Sequence, residues 1–273
     1  MSEKYDLLVV EDEPVVLAAI RKIVEPENIS MDEALNGEYA LSKLKRNTYK
    51  LIISDLMLPR VSGFDLIRAI KEDHPCVPVV VITGYATLEK ALQSYKVGSF
   101  DFVSKPFDTE VFLGVVRRGL NFSQMMLNKA PDHRAFIHLP ELSSMDRSAG
   151  TFYCLGCHAW IQFEEQETVL IGVGETFPNM MGELSHMEIF TSGKEISQGK
   201  FCAKFVTKSG LVNMFWAPLS GKIEAYNEAL DRDIRLIDTD PYNQGWILRI
   251  SPSDFDEEVK HLTSCKRRSN NEK

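Results

Sequence analysis

The chain has 273 residues, is 44% hydrophobic and 26% charged, and carries a formal net charge of -8. That composition excludes a disordered or fibrous polypeptide, and the length suits two domains that each bury a core without staples. The acidity is shared by both halves, which argues against broad binding to nucleic acid or to an anionic membrane. No apolar run approaches bilayer length and Met1 to Asp6 lack signal-peptide character, so a cytoplasmic protein with no membrane partner is expected. In that compartment Cys76, Cys154, Cys157, Cys202 and Cys265 are expected to be thiols.

The first half alternates short apolar runs with helical periods. Lys4 to Val10 reads as a buried strand ending on Glu11-Asp12-Glu13, and Pro14 opens a helix carrying Val15, Val16, Ala19, Ile20 and Ile23. A short strand near Ile29 to Ala34 and a helix from about Gly37 to Arg46 follow. Leu51 to Ser54 reads as a strand buried on both faces. It ends on Asp55, and Pro59 and Gly63 lead into a helix from Gly63 to Asp73. Pro78 to Ile82 makes a fourth strand ending on Thr83. A helix through Leu88 to Val97, a fifth strand at Phe100 to Val103 ending on Lys105-Pro106, and a helix from about Asp108 to Gly119, with a continuation toward Leu127, complete the half. Five strands alternating with five helices predict a doubly wound, flavodoxin-like parallel α/β sheet.

In such sheets ligands sit beyond the strand C-termini. Taken alone, Asp55 reads equally as a loop cap, and the other strand ends must decide. They offer Glu11, Asp12, Thr83 and Lys105. Converging carboxylates suit a hard, oxygen-seeking ion that keeps waters, namely Mg²⁺. The lysine supplies a cation and the hydroxyl a donor for a phosphoryl group, which makes Asp55 a nucleophile able to form an acyl phosphate.

Glu11-Asp12, Asp55, Thr83 and Lys105-Pro106, each after its strand, resemble the receiver domain of bacterial response regulators over about residues 4–121. The resemblance implies phosphoryl transfer to Asp55 from a histidine kinase or phosphotransfer protein. It implies Asp12 and Asp55 as Mg²⁺ ligands, Glu11 acting through a bound water, and the Met57 backbone carbonyl as a further ligand. Thr83 would reach toward the phosphoryl group, a cis peptide between Lys105 and Pro106 would aim the lysine into the site, and Phe102 would fill the aromatic switch position. A core aromatic reads Phe102 equally well. The family's output face would include Tyr85, Tyr95, Val97 and Val111.

Asn128 to Gly150 lacks a period and reads as a linker with one apolar patch, Ala135 to Leu139. From Thr151 onward no Walker loop and no basic recognition helix is legible, so no DNA partner is expected. Short apolar segments with glycine or proline punctuation (Thr168 to Gly172, Met187 to Phe190, Phe201 to Val206, Gly221 to Ala225, Trp246 to Ile250) predict a mostly β domain.

His158-Ala159-Trp160, Val169 to Gly174, Ala217-Pro218-Leu219-Ser220-Gly221, Asn227-Glu228-Ala229-Leu230, Asp240-Pro241-Tyr242 and Gly245-Trp246 resemble the H protein of the glycine cleavage system over about residues 157–262. The resemblance implies a lipoyl-type β-sandwich, a barrel-sandwich hybrid, whose lysine at a hairpin tip carries lipoate. Seven residues before Ala217 that position is Gly210, so the lipoyl site is lost and no lipoate is expected. Lys208 is expected on the same strand face but off the tip, and modification there is the alternative. Cys154-Leu155-Gly156-Cys157-His158 spells a C-x-x-C-H pattern. Haem attachment conflicts with a cytosolic receiver, and an ordinary cysteine pair is expected, with metal binding or redox activity left open.

The sequence therefore predicts a receiver at 1–122, a linker at 123–150, an H-protein-like domain at 151–262 and a tail at 263–273. The expected function is a non-enzymatic response regulator that signals through an unidentified protein partner of its second domain. The rival is a phospho-regulated carrier lipoylated at a displaced lysine.

Overall fold

The structure, a computed structural model, describes residues 3–84, 88–128, 152–155, 158–164, 167–174, 177–190 and 195–265. Two compact units divide the chain, Met1–Ile137 and His138–Lys273. The apolar patch at 135–139, Tyr85, Cys157 and the tail from residue 266 lie outside the described residues.

The first unit runs β1 (Lys4–Val10), α1 (Pro14–Val24), β2 (Met31–Ala34), α2 (Gly37–Leu44), β3 (Thr48–Asp55), α3 (Gly63–Asp73), β4 (Val79–Thr83), α4 (Leu88–Lys96), β5 (Asp101–Ser104) and α5 (Thr109–Asn128). The strands form one parallel sheet in the order β2-β1-β3-β4-β5, the doubly wound arrangement expected. Leu51, Ile52 and Ile53 are fully buried, as are Leu7 to Val10 and Val79 to Ile82. Strands buried on both faces read as continuous apolar runs, which is why these three were legible.

Helices α1 to α3 start on residues suited to a first turn. Pro14 opens α1, where its missing N–H costs nothing. Asn36 Oδ1 accepts from Tyr39 N at 2.8 Å before α2, and Ser62 Oγ accepts from Asp65 N at 3.2 Å before α3. Helix α5 runs to Asn128, past the Gly119 stop and through the suggested continuation. Its buried face continues from Phe112, Val115 and Val116 to Arg118, Ser123 and Met126, so burial does not stop at Gly119 although the apolar character thins there.

The second unit contains β6 (Phe152–Leu155), β7 (Ala159–Phe163), β8 (Val169–Val173), α6 (Phe177–Met181), β9 (Leu184–Ile189), β10 (Glu195–Ile196), β11 (Phe201–Thr207), β12 (Val212–Trp216), β13 (Gly221–Tyr226), α7 (Ala229–Arg232), α8 (Leu236–Thr239), β14 (Trp246–Pro252), α9 (Phe255–Glu258) and β15 (Thr263–Cys265). Among the described residues they make an antiparallel sheet ordered β10-β13-β14-β8-β7-β6-β15 and a second ordered β12-β11-β9. These sheets fit an H-protein-like β-sandwich. Phe205 meets Phe215 edge-on at 5.8 Å and Phe177 at 6.4 Å, and His158 packs on Phe177 at 4.9 Å. Such aromatic contacts, together with buried Ile171, Leu248 and Ile250, form the core.

Cys154 corrects an expectation, because it is disulfide-bonded rather than a thiol. Compartment arguments bear on average redox poise and not on which sulfurs a fold brings together. Cys76 and Cys202 are thiols, and burial pushes the Cys202 thiol up to about 12.

Candidate phosphoacceptor site

The ends of β1, β3, β4 and β5 converge as a parallel sheet requires. Glu11 and Asp12 follow β1, Asp55 closes β3, Thr83 closes β4, and Lys105 follows β5. One carboxylate oxygen from each of Glu11, Asp12 and Asp55 lies within 4.8 Å of the other two. Glu11 and Asp55 are buried and Asp12 is exposed, so the cluster opens to solvent on one side. An all-oxygen set with an open side matches what Mg²⁺ takes, a few carboxylates with its remaining positions filled by water.

Lys105 Nζ donates to Glu11 Oε2 at 2.6 Å and to Asp55 Oδ2 at 2.6 Å. Its other neighbour is Glu13 Oε1 at 3.8 Å, a contact the sequence reading did not single out although Glu13 adjoins the acidic pair. The peptide bond from Lys105 to Pro106 is cis, and Lys105 N donates to Thr83 O at 2.8 Å. Burial pushes the Glu11 carboxyl up despite the lysine beside it. Burial acts to lower the Lys105 ammonium, but its hydrogen bonds to Asp55 and Glu11 outweigh that and hold it above its usual value. The lysine therefore stays charged.

The loop after Asp55 is held by the backbone. Met57 N donates to Asp55 Oδ1 at 2.9 Å, Leu56 N to Ile82 O at 3.3 Å, and Gly63 N to Leu56 O at 3.0 Å. A Cβ at Gly63 would stand 2.5 Å from both Asp55 O and Leu56 Cα, so the start of α3 rests directly on the acceptor's backbone. The Met57 side chain is exposed and Lys90 Nζ approaches its sulfur at 3.8 Å. Thr83 is fully buried at its strand end, level with Ser104 of β5. Phe102 is buried and stands level with Val81. Tyr95, Val97 and Val111 are each half-buried.

Residues 7–117 match the family model for the response regulator receiver domain. The first half of the chain is a receiver domain. The receiver of this chain is 35% identical over 118 residues to the nitrogen assimilation regulatory protein NtrX of Azorhizobium caulinodans, covering 42% of this chain and 26% of that protein. The response regulator protein PilR of Pseudomonas aeruginosa is 31% identical over 144 residues, covering 52% of this chain and 32% of its own length. The match thus spans roughly a quarter to a third of these curated relatives. The crystal structure of the receiver domain of NtrX from Brucella abortus is 32% identical, with a TM-score of 0.41, covering 42% of this chain and 98% of that one. Residues 152–272 match the glycine cleavage H-protein family model, so the chain joins a receiver to an H-protein-like domain.

The second domain places Gly210 in the loop between β11 and β12, at φ +85°. Thr207 N donates to Leu211 O at 3.0 Å, Leu211 N to Thr207 Oγ1 at 3.0 Å, and Gly210 N to Thr207 O at 3.0 Å. The hairpin therefore closes on a three-residue loop, Lys208-Ser209-Gly210, with glycine in the left-handed position such loops need. This corrects the placement of Lys208. It sits in the turn itself, exposed and paired with Glu183, because β11 ends at Thr207.

Proposed function

We propose that the chain is a two-component response regulator in which Asp55 accepts a phosphoryl group from a phosphohistidine on a kinase or phosphotransfer protein. The observation that carries this reading is the single lysine held 2.6 Å from both Asp55 and Glu11, beside three clustered carboxylates. Asp55 attacks phosphorus, the P–N bond to the donor imidazole breaks, and the imidazole leaves as the ring takes up a proton. Asp12, Asp55 and the Met57 carbonyl would hold Mg²⁺, with Glu11 reaching it through water. Bound there, the ion neutralises charge on the transferring group. Lys105 exchanges a carboxylate partner for a phosphoryl oxygen, and the Thr83 hydroxyl donates to another. Glu11 keeps a hydrogen-bonded partner's place near the lysine, and Met57 N holds the Asp55 carboxyl by its second oxygen.

In this reading the protein accepts and relays a signal and turns over no external substrate. It works in the cytoplasm, and its H-protein-like domain binds a protein partner without carrying lipoate. Gly210 supports the last point, since glycine offers no amine to acylate. Lys208 in the turn favours a second reading, a carrier modified at that residue.

Incubating the purified full chain with Mg²⁺ and a small phosphodonor tests the acceptor. Label on Asp55 is expected, and label confined to another carboxylate would refute it. The intact mass of protein from its native cells decides between the two readings of the second domain, since a lipoyl adduct at Lys208 would establish the carrier.

A further inference from the structure

The smaller sheet of the second domain ends on β9, which reads Leu184-Ser185-His186-Met187-Glu188-Ile189. Its neighbour β11 sets Lys204 opposite Glu188, Phe205 opposite Met187 and Val206 opposite His186. Phe190 N donates to Cys202 O at 2.8 Å, and that bond fixes the phase of the ladder. Antiparallel bonds recur at alternate residues, so His186 and Glu188 also turn their backbone groups toward β11, whereas Met187 and Ile189 turn theirs away. Among the described residues no strand pairs with β9 on that second side. The side chains of His186 and Glu188 stand on one face of the strand, 52% and 49% exposed, and Phe190 just beyond is exposed too. Charged residues on an edge usually blunt it against pairing, but the order of these two admits one partner.

We infer that β9 is a self-pairing edge, so that the second domain takes a second copy of this chain, β9 against β9, antiparallel about a two-fold axis at Met187. The charges select this register. An axis at Glu188 sets that carboxylate opposite its own copy, which like charge disfavours. An axis at Met187 sets His186 opposite Glu188 of the second copy, and symmetry repeats the pair. These are non-hydrogen-bonded positions, where facing side chains stand closest. On the axis itself, Met187 of each copy exchanges both backbone bonds, because its N–H and C=O already face outward. Lys204 Nζ lies 2.9 Å from Glu188 Oε2 on the β11 side, so each carboxylate would stand between a lysine of its own chain and a histidine of the second copy. Phe190 comes to the Leu184 end of the second copy and loses its exposure there. Strands this short bury less than a permanent interface does, so the dimer is reversible. The inference stands independently of the phosphoacceptor reading.

Sedimentation velocity on the full chain over a dilution series, in reducing buffer without Mg²⁺ or phosphodonor, tests the pairing. The unsubstituted chain should pass from monomer to dimer as its concentration rises. Met187→Pro removes an outward N–H that β11 does not use, and the dimer should be lost with an unchanged circular dichroism spectrum. His186→Glu sets carboxylate against carboxylate, and Glu188→Lys sets ammonium against imidazole, so each should weaken the dimer roughly tenfold. Mixed together, these two variants bring the introduced glutamate opposite the introduced lysine and leave Glu188 of one opposite His186 of the other. The mixture should therefore recover the dimer. A chain that is monomeric at every concentration overturns the inference. So does a dimer that all three substitutions leave unchanged, and so does a mixture that fails to recover what the two charge variants lose. Should Met187→Pro unfold, the charge variants and their mixture decide alone, since both positions are exposed. Labelling at Asp55 is untouched by any of these results.

Discussion

Lys105 Nζ and Asp55 Oδ2 meet at 2.6 Å although 50 residues separate them in the chain. Glu11 shares the same ammonium at the same distance, so one cation serves two buried carboxylates. This excess of negative charge suits a metal cation, which with the lysine would offset the charge of an incoming phosphoryl group, and it sets the first prediction.

Asp55→Asn removes one of the competing carboxylates and keeps the side-chain shape. Labelling by a small phosphodonor should vanish, and the thermal midpoint should hold or rise, since Lys105 then serves Glu11 alone. Labelling assays and thermal unfolding of the same preparation check both halves. A chelator should abolish labelling of the unsubstituted protein without changing its fold.

Gly63→Ala tests the close approach of α3 to the acceptor strand. The added Cβ would fall 2.5 Å from Asp55 O and Leu56 Cα, both backbone atoms with no rotamer to relieve the clash. A stability loss of about 1–3 kcal/mol is expected from such overpacking, together with slower labelling at Asp55. Urea denaturation measures the first, and a change below about 0.5 kcal/mol, the scale of ordinary surface substitutions, would show that the loop gives way freely.

The pair Glu164–Arg249 sets a pH dependence in the second domain. Arg249 Nε and Nη2 donate to the two Glu164 oxygens at 2.6 and 2.9 Å, and Thr168 Oγ1 donates at 3.0 Å. Chiefly the Arg249 hydrogen bonds hold the Glu164 carboxyl below its ordinary value of 4.5. A carboxyl lowered in the folded state stabilises above its unfolded pKa, and that stability is lost as pH falls through the lower folded value. Glu164→Gln should therefore flatten part of the stability loss below about pH 4.5 and leave its slope above pH 6 alone. The pair is partly exposed, so the difference at neutral pH should stay under about 1 kcal/mol. Denaturation series at stepped pH read it directly.

Gly210→Lys returns an amine to the position that the H-protein resemblance assigns to lipoate. At φ +85° a side chain with a Cβ is strained, and a loss of about 1–2 kcal/mol is expected. Nothing lies within 4 Å of the new Cβ, so the cost is conformational rather than steric and the fold should survive. Incubation with a lipoate-attaching enzyme and mass measurement should then show the adduct on the variant and none on the unsubstituted chain. An adduct on unsubstituted Lys208 would contradict the loss of the carrier site.

The fully buried strands, the helix starts at Pro14 and Gly63 and the glycine in the hairpin were legible in the residues, because each is decided by neighbours in the chain: an apolar run, a cap, a left-handed turn. So were the strand-end residues Glu11, Asp12, Asp55, Thr83 and Lys105, since a parallel sheet brings successive strand C-termini to one edge. Partnerships between distant residues were not legible. The sharing of Lys105 by Glu11 and Asp55, the 3.8 Å approach of Glu13, the buried Asp101–Arg118 pair, the disulfide at Cys154 and the seven-stranded sheet order depend on which elements fold against one another. Short strands such as β6, β10 and β15 carry too few residues for a period to show, and they form because a neighbouring strand supplies their hydrogen bonds. The sequence by itself determined where chemistry-bearing side chains leave their strands. Only the tertiary structure decided which charges meet, because Coulomb and hydrogen-bond energies depend on separation in space and on burial, and neither follows from spacing along the chain.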